Sequence, residues 1–310
     1  MNKLRKIAVV GEIYVDHIFT DFDHMPRAGE EVFADQYHRE AGGGTVNTAC
    51  ALARLGHRCE IFGVFGRDEE AWLRSRLDSF GVSSDHAASS EFPSALTVSM
   101  SIASDRSFLS YAGANQVLES YVALPGTISA LSKAEHVHFA MPLEWELAKK
   151  LLPALRSAGC TVSIDPGWRK DWLQGPASLD TLRMVDLFLP NESEAQLLTG
   201  RTEPEDVLRA FAALGLEHTV IKLGARGAVT LQGNELHAAA PPDVAVVDTT
   251  GAGDAFDAGF IDAWLMGADI EEQLRRACIC GSLSTRARGA LAALPYREEM
   301  LGIAQENSIF

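Results

Sequence analysis

A nine-residue segment, DTTGAGDAF at residues 248–256, has the residue types and order to bind an anion next to a general base. It follows an apolar run that predicts a strand and precedes apolar residues at helical spacing. A glycine turn at a helix N-terminus presents unpaired backbone N–H groups, and the helix dipole favours negative charge there. The small residues Gly251, Ala252 and Gly253 let a phosphoryl group approach these amides closely. Asp254, in the first helical turn, could then accept a proton from an attacking hydroxyl.

Other residues with suitable chemistry follow predicted strands. Asp16 comes just after the first strand, Asn191 and Glu194 follow a later one, and a glycine run at residues 42–44 precedes Asn47. The carboxyl ends of parallel strands share one edge of a sheet, which is where open α/β sheets bind ligands. Taken singly, each pattern also fits a plain loop or a helix cap, and so does the glycine turn of the nine-residue segment.

Short β-branched runs alternate with amphipathic stretches along the chain, which is typical of βαβ units. They predict an α/β fold with a doubly wound, mostly parallel sheet flanked by helices. The predicted strands are Ile7–Val10, Cys59–Val64, Val137–Ala140, Thr161–Ile164, Leu187–Leu189, Thr219–Leu223 and Val244–Val247. The predicted helices are Thr45–Leu55, Leu143–Ser157, Glu205–Leu214 and one that begins near Asp254.

Two stretches break this alternation and predict antiparallel ribbons: Tyr14–Thr20 with Glu31–His38, and Leu96–Tyr111 with a turn at Ser104–Arg106. Ribbons without helices of their own can cover a cleft. We expect a single domain over residues 1–310, with a small β-ribbon lid formed by about residues 12–40 and 95–112.

The chain carries 27 basic and 42 acidic residues, a formal net charge of -15, which would repel a phosphate backbone and argues against nucleic acid as a partner. Its five cysteines form no C-x-x-C pair, and an odd number cannot close completely into intramolecular bridges. A reduced, cytoplasmic setting is therefore expected. No apolar run reaches the roughly 18 to 20 residues that cross a bilayer, and we expect no membrane partner.

Two classes of nucleotide-binding protein are excluded by their motifs. A nicotinamide-dependent oxidoreductase needs G-x-G-x-x-G after the first strand, but Gly11 is followed by residues 12–16 without further glycines. A P-loop NTPase needs a Gly-Lys pair, and the chain contains none.

Several motifs together resemble the ribokinase-like (PfkB) family of carbohydrate kinases, and they occur in the family's order along nearly the whole chain. The nine-residue segment resembles the second family signature, and GGGTVNTA at residues 42–49 resembles the first. This resemblance implies a ribokinase-like fold and ATP-dependent phosphotransfer to a hydroxyl, with Asp254 as general base. It also implies that Asp16, Gly42, Gly43 and Asn47 bind the substrate together with Asp254.

The same resemblance implies a nucleotide and ion site. Its nucleotide-binding residues are Asn191, Lys222, Gly224, Gly227, Arg169, Cys278 and Ser282. Glu194 would organise Mg²⁺ through water, as oxygen ligands suit that hard ion. Asp248, Thr250 and Gly289 would form a monovalent-cation site of the kind that takes K⁺.

The substrate class stays open between two alternatives. Asp16 and Asn47 beside glycines favour a small sugar, as in ribokinase or fructokinase, whereas a nucleoside would need aromatic residues over its base. Four aromatic residues could serve: Tyr14, Phe33, Phe108 and Tyr111. Phosphorylated sugars are disfavoured because no Arg/Lys cluster adjoins the Asp16 and Gly42 segments, and a non-catalytic binding protein because Asp254 is present. Family lid ribbons also pair between subunits, which implies a homodimer.

Overall fold

Strands and helices alternate along most of the chain in the computed structural model, which describes residues 4–102, 105–216 and 218–306. The strands are Lys6–Gly11 (β1), Tyr14–Thr20 (β2), Gln36–Gly42 (β3), Arg58–Phe62 (β4), Val64–Gly66 (β5), Ala88–Ser90 (β6), Leu96–Ile102 (β7), Asp105–Tyr111 (β8), His136–Ala140 (β9), Thr161–Ile164 (β10), Leu187–Phe188 (β11), Val220–Lys222 (β12), Ala228–Gln232 (β13) and Glu235–Ala239 (β14).

The α-helices are Gly44–Arg54 (α1), Glu70–Asp78 (α2), Leu118–Val122 (α3), Pro125–Leu131 (α4), Trp145–Ser157 (α5), Lys170–Leu173 (α6), Ser178–Leu182 (α7), Glu192–Thr199 (α8), Pro204–Ala213 (α9), Ala252–Leu265 (α10), Ile270–Ser284 (α11) and Arg297–Glu306 (α12). Short 3₁₀ turns span Gly113–Val117 and Gly224–Arg226.

The central sheet is parallel, with strand order β11-β10-β9-β1-β4. Parallel bridges from Phe188 and Asn191 extend it towards β12, after which β13 and β14 continue antiparallel. Side chains of β1 alternate between two cores: Ile7 and Val9 face one, whereas Ala8 and Val10 face the other. Helices α1, α10, α11 and α12 cover the first core, and α5 and α9 cover the second. The predicted doubly wound α/β fold is confirmed.

A second sheet, here called the small sheet, has the order β3-β2-β7-β8. It leaves the central sheet directly, since only two residues separate β1 from β2. The β2–β3, β2–β7 and β7–β8 registers place Asp16, Ile18, His38 and Phe108 on one face, because directly paired residues share a face. Ile18 and His38 lie about 4 Å from the position of a Cβ on Gly289, so this face looks onto the N-terminal end of α10.

Most predicted elements agree with the structure within two residues, but two do not. Val244–Val247 forms no strand; Val246 and Val247 are exposed. The second ribbon strand is Gln36–Gly42 rather than Glu31–His38, because β2 ends at Thr20, which pairs with Gln36, and Asp21 has a φ of 60°. Ser104, in the predicted ribbon turn, lies outside the described residues.

Helix α10 is held at its C-terminal end by buried charges. The Asp262 carboxylate is fully buried and contacts His57 Nε2 at 2.9 Å, Arg276 Nη1 at 3.6 Å and the Arg297 guanidinium. These partners come from the β4 end, α11 and α12, so one carboxylate joins three parts of the fold.

All five cysteines are buried free thiols. Within the three described stretches, no helix has the length and apolar character needed to span a bilayer.

Candidate active site

The glycine turn before α10 forms as the sequence predicts, with Gly251 at the N-cap in the left-handed region (φ 73°). A Cβ on Gly251 would lie 2.5 Å from that of Ala290, so the turn also requires the absence of a side chain. The Ala252 amide donates to Thr249 O over 3.2 Å. Within the described chain, the Gly253 amide has no acceptor, and Gly253 is exposed. The turn therefore offers an N–H donor at the positive end of a 14-residue helix.

Asp254 lies where this turn meets the glycine run before α1. Its Oδ2 accepts a hydrogen bond of 2.8 Å from Asn47 Nδ2, and a Cβ on Gly44 would lie 3.3 Å from its Oδ1. Burial and the nearby charge of Asp165 raise the pKa of Asp254 to about 6, although the Asn47 hydrogen bond and Lys222 partly oppose this shift. Its carboxylate is thus ionised near neutral pH and has a higher proton affinity than an exposed aspartate.

Asp16 stands across from Asp254 on the small sheet and packs against Gly42, where an added Cβ would lie only 1.9 Å from Asp16 Oδ2. Burial, followed by the charges of Glu40, Asp254 and Asp248, raises the pKa of Asp16 to about 7. We call the region formed by Asp16, Gly42, Gly43, Asn47 and Asp254 the Asp16 pocket. Its carboxylates are acceptors for hydroxyl groups.

One wall near this pocket is formed by Glu12, which the sequence did not single out. Glu12 Oε2 accepts from Tyr14 Oη over 2.9 Å, and its Oε1 accepts from Arg169 Nη1 over 3.2 Å. The Glu12 carbonyl and the Tyr14 ring also border Gly43, at 2.5 and 3.2 Å from the position of an added Cβ. Arg169 therefore lies on the Asp16 side of the cleft, paired with a carboxylate.

A cavity of about 650 Å³, here called the large cavity, opens on the other side of the glycine turn. Ala252, Gly253, Val244 and Val246 line it, and the residues expected to bind a nucleotide that also line it are Asn191, Lys222, Gly224, Gly227, Cys278 and Ser282. Arg169 is not among its lining residues. Its size suits a drug-sized ligand, and its walls combine apolar side chains with a few polar groups.

Lys222 is the centre of a buried ion cluster at the junction between the two spaces. Its Nζ lies 2.7 Å from Asp165 Oδ2 and 3.0 Å from Asp257 Oδ1. The position of a Cβ on Gly253 is 3.6 Å from the same Nζ. The two carboxylates hold the pKa of Lys222 above its ordinary value despite burial, and the ammonium holds the pKa of Asp165 below its ordinary value. Burial raises the pKa of Asp257 well above the usual range.

Asn191 and Glu194 form a reciprocal capping box at the start of α8, so the helix-cap interpretation holds for both. Asn191 Oδ1 accepts from the Glu194 amide over 3.0 Å, and Glu194 Oε2 accepts from the Asn191 amide over 2.8 Å. Glu194 also lines the large cavity while only 2% exposed. Burial and the charge of Asp165 raise its pKa to about 7. A second carboxylate oxygen beside the cavity fits the preference of Mg²⁺ for oxygen ligands.

Asp248, Thr250 and Gly289 meet at one point. Asp248 Oδ1 accepts from the Thr250 amide at 2.9 Å and from Thr250 Oγ1 at 2.7 Å, while its Oδ2 accepts from the Gly289 amide at 2.9 Å. Both carboxylate oxygens of Asp248 thus already accept hydrogen bonds from N–H or O–H donors. Ligands for a cation here would have to include backbone carbonyls as well.

Two members of the ion cluster, Asp165 and Asp257, were missed as functional candidates. Asp257 sits between Phe256 and Ala258 in a helix whose neighbouring residues are buried and apolar. A charged residue in such a position is a usable signal, since buried charges are normally paired. Its partners are 92 and 35 residues away in the sequence and become visible only in the fold.

Comparison with known proteins gives a consistent result. The model of the family described as pfkB family carbohydrate kinase matches residues 4–297. The ribokinase of Arabidopsis thaliana is 29% identical over 307 residues, which cover 95% of this chain and 80% of that protein. The ATP-dependent ribose-1-phosphate kinase of Halopiger xanaduensis is 30% identical over 277 residues, covering 87% and 89%. The solved structure of Arabidopsis thaliana ribokinase complexed with ribose and ATP superimposes with a TM-score of 0.84 at 28% identity, covering 98% and 99%.

Proposed function

Because this chain belongs to the pfkB family of carbohydrate kinases, we propose that it transfers the γ-phosphoryl group of ATP to a hydroxyl of a small, uncharged sugar. The observation that carries the proposal is the hydrogen bond between Asn47 and Asp254. It joins the glycine run of the Asp16 pocket to the glycine turn of the large cavity, and so puts a carboxylate between the two spaces.

In this reaction Asp254 takes the proton of the acceptor hydroxyl. The hydroxyl oxygen forms a bond to the γ-phosphorus while the bond to the β,γ-bridging oxygen breaks, and ADP leaves with that electron pair. The backbone turn from Gly251 to Gly253 stabilises the charge on the migrating group. Most of the rate enhancement comes from positioning and from such charge stabilisation.

The nucleotide occupies the large cavity, with its base near Cys278 and Ser282 and its phosphates towards Lys222 and the turn Gly224–Gly227. The residues fit a metal: Glu194 would hold Mg²⁺, directly or through water, together with the phosphate oxygens. When bound, the ion neutralises phosphate charge. A K⁺ ion near Asp248 belongs to the same proposal.

Charge around the Asp16 pocket favours an uncharged sugar over a phosphorylated one. Asp16, Glu40 and Asp254 are all acidic, and the charges of Glu40 and Asp254 add to burial in raising the pKa of Asp16. Arg169 lies at the Glu12 wall, and its charge is already paired there. An anionic sugar would be repelled by the carboxylates unless Arg169 left Glu12.

The aromatic residues favour a sugar over a nucleoside. Tyr111 pairs with Leu96, which pairs with Val15, so it lies on the face of the small sheet opposite Asp16. Phe33 is 79% exposed and belongs to no strand. Only Tyr14 and Phe108, of these four aromatic residues, share the face that carries Asp16. These two could still contact a nucleobase, so a nucleoside remains the second candidate.

The small sheet would act as the lid over the sugar. Its outer face exposes Tyr37, Leu109 and Tyr111, and pairing of two such faces would make a homodimer. Light scattering of the purified chain measures this, and a monomer at micromolar concentration would exclude it.

The test is an ATP-consumption screen over pentoses, hexoses, ketoses, sugar phosphates and nucleosides. We expect turnover with at least one uncharged sugar and a fall of about 10³-fold in Asp254→Asn, since a general base contributes roughly 10² to 10⁴. Asp206→Asn, an exposed aspartate in the first turn of α9, is the matched control and should keep full activity. Full turnover in Asp254→Asn would remove the proposed base, and activity confined to nucleosides or sugar phosphates would replace the proposed substrate.

A further inference from the structure

The Lys222 ammonium is held by two carboxyl groups from different parts of the fold, those of Asp165 and Asp257. We infer that Lys222 contacts the transferring phosphoryl group as a fixed catalytic cation, an inference that rests on the proposed phosphotransfer. Asp257 is then a positioning residue: together with Asp165, it holds the Lys222 ammonium beside the glycine turn.

The first support is the direction of the remaining donor. An ammonium has three N–H groups. Asp165 Oδ2 accepts one at 2.7 Å, and the two oxygens of Asp257 share another at 3.0 and 3.2 Å. A third donor is left for a ligand. Lys222 lines the large cavity, and its Nζ is 3.6 Å from the position of a Cβ on Gly253, so an anion bound at the Gly253 amide lies within its reach.

The second support is that stability alone does not account for the cluster. Buried ion pairs give little net stability compared with apolar residues of similar volume, because two charges must leave water. Here one ammonium contacts two buried carboxyl groups, and burial raises the pKa of one of them, Asp257, well above the usual range. Asp257 is fully buried in α10, between Phe256 and Ala258 and one turn after Asp254. An acidic group at such a position is explained if it orients Lys222.

The third support is the position of the cluster relative to the base. The carboxylates of Asp165, Asp257 and Asp254 lie within 4.8 Å of one another. Lys222 contacts two of these three carboxylates, so its positive charge lies close to the proposed base as well as to the glycine turn. When the bond to ADP breaks, Lys222 donates a hydrogen bond to a non-bridging phosphoryl oxygen, and its own proton is not transferred.

The decisive variant is the double substitution Lys222→Met with Asp257→Asn, which removes the ammonium together with one of its two carboxyl partners. Lys222→Met alone leaves two buried carboxylates without a counter-ion, which is strongly destabilising and could prevent folding. The double variant leaves one acidic group without the ammonium, Asp165, whose side chain lines the large cavity and is 14% exposed. We expect its melting temperature to lie within about 3 °C of that of the unmodified protein. In a protein of this size, such a shift corresponds to a change of roughly 1 kcal/mol in the free energy of unfolding. We expect its kcat to stay at least about 100-fold lower, as for loss of one transition-state donor.

Asp257→Asn alone tests positioning. It leaves Lys222 with Asp165, and we expect kcat to fall by about 10-fold or more with little change in the KM for ATP, as when an interaction is lost only in the transition state. The matched control is the exposed pair Arg209–Glu205, whose Nη2–Oε1 distance is 2.6 Å. The double variant Glu205→Gln with Arg209→Met should leave kcat unchanged.

The inference is overturned if the double variant Lys222→Met/Asp257→Asn recovers kcat to within about threefold of the unmodified protein together with its stability, because the cluster would then be structural only. It is equally overturned if Asp257→Asn alone leaves kcat unchanged. ATP binding by the unmodified protein, measured by calorimetry, separates this outcome from failure of the proposed function. No ATP binding would overturn both, whereas ATP binding and turnover with a fully active double variant overturn this inference alone.

Discussion

Asn47 Nδ2 donates a hydrogen bond of 2.8 Å to Asp254 Oδ2, and the two residues stand in the first turns of α1 and α10. The N-terminal ends of both helices therefore meet at one carboxylate. Helix dipoles favour negative charge at that end, which opposes the effect of burial on Asp254. The proposed base is thus kept ionised in the pH range where it must accept a proton.

The Asn47 hydrogen bond predicts a pH effect. Asp254 must be ionised to act as base, so kcat/KM should rise as pH increases through about 6. The bond lowers the pKa of Asp254, and Asn47→Ala should move this rising limb to higher pH. Rate measurements between pH 5 and 9 check it. A limb that stays in place, or moves to lower pH, would show that Asn47 does not set the proton affinity of the base.

Gly42→Ala should damage the Asp16 pocket alone. The new Cβ would lie 1.9 Å from Asp16 Oδ2, so Asp16 must move. We expect the KM for the sugar to rise by about 10-fold or more, as loss of a hydrogen-bonded charge costs roughly 1.5–3 kcal/mol. Calorimetric ATP affinity should be unchanged. Gly126→Ala, in α4 with open space around it, is the control. An unchanged sugar KM in Gly42→Ala would remove Asp16 from the substrate site.

Asp16→Asn should change how stability depends on pH. The folded protein raises the pKa of Asp16 from 3.8 to about 7, so the contribution of this group is greatest below about pH 4 and is lost as pH rises through 7. The amide cannot ionise. Asp16→Asn should therefore melt about 3 °C or more above the unmodified protein at pH 8 and equally with it at pH 4. Calorimetry at both pH values measures the two melting temperatures. A lower melting temperature for Asp16→Asn than for the unmodified protein at pH 8 would contradict the predicted direction of the change.

Glu194→Gln separates the cap from the metal site. The glutamine oxygen can still accept from the Asn191 amide, so the melting temperature should be unchanged. The Mg²⁺ concentration for half-maximal rate should rise by about tenfold, as for loss of a metal-site carboxylate. In the unmodified protein this concentration should fall as pH rises through about 7, because Glu194 then ionises. Titrations with MgCl₂ at pH 6 and 8 measure both effects, and an unchanged requirement would exclude Glu194 as a metal residue.

The alternation of apolar runs was enough to predict the fold, because parallel strands buried on both faces are apolar throughout. The same logic failed at Val244–Val247. Val244 and Val246 line the large cavity, and the Val247 amide donates to Thr285 O rather than to a neighbouring strand. An apolar run that contacts a cavity and one that fills a sheet look alike in a sequence.

Site residues that occur in compact motifs could be located from the sequence, whereas those that depend on distant partners could not. The Asp16 pocket draws on two short glycine segments and is visible in the sequence. The Lys222 cluster joins a strand end, a loop and a helix interior, and only tertiary packing brings these together. Arg169 follows the same rule: its partner Glu12 is 157 residues away.

Helix α10 has ionic contacts near both of its ends: Asp257 binds Lys222 near the start, and Asp262 binds His57 and Arg297 further along. Axial sliding or rotation of this helix would break both contacts at once. If the small sheet is the lid that we propose, its motion would leave α10 in place; one of its connections to the central sheet is Glu12 and Ile13. The proposed base would keep a constant position while the sugar side moves towards it.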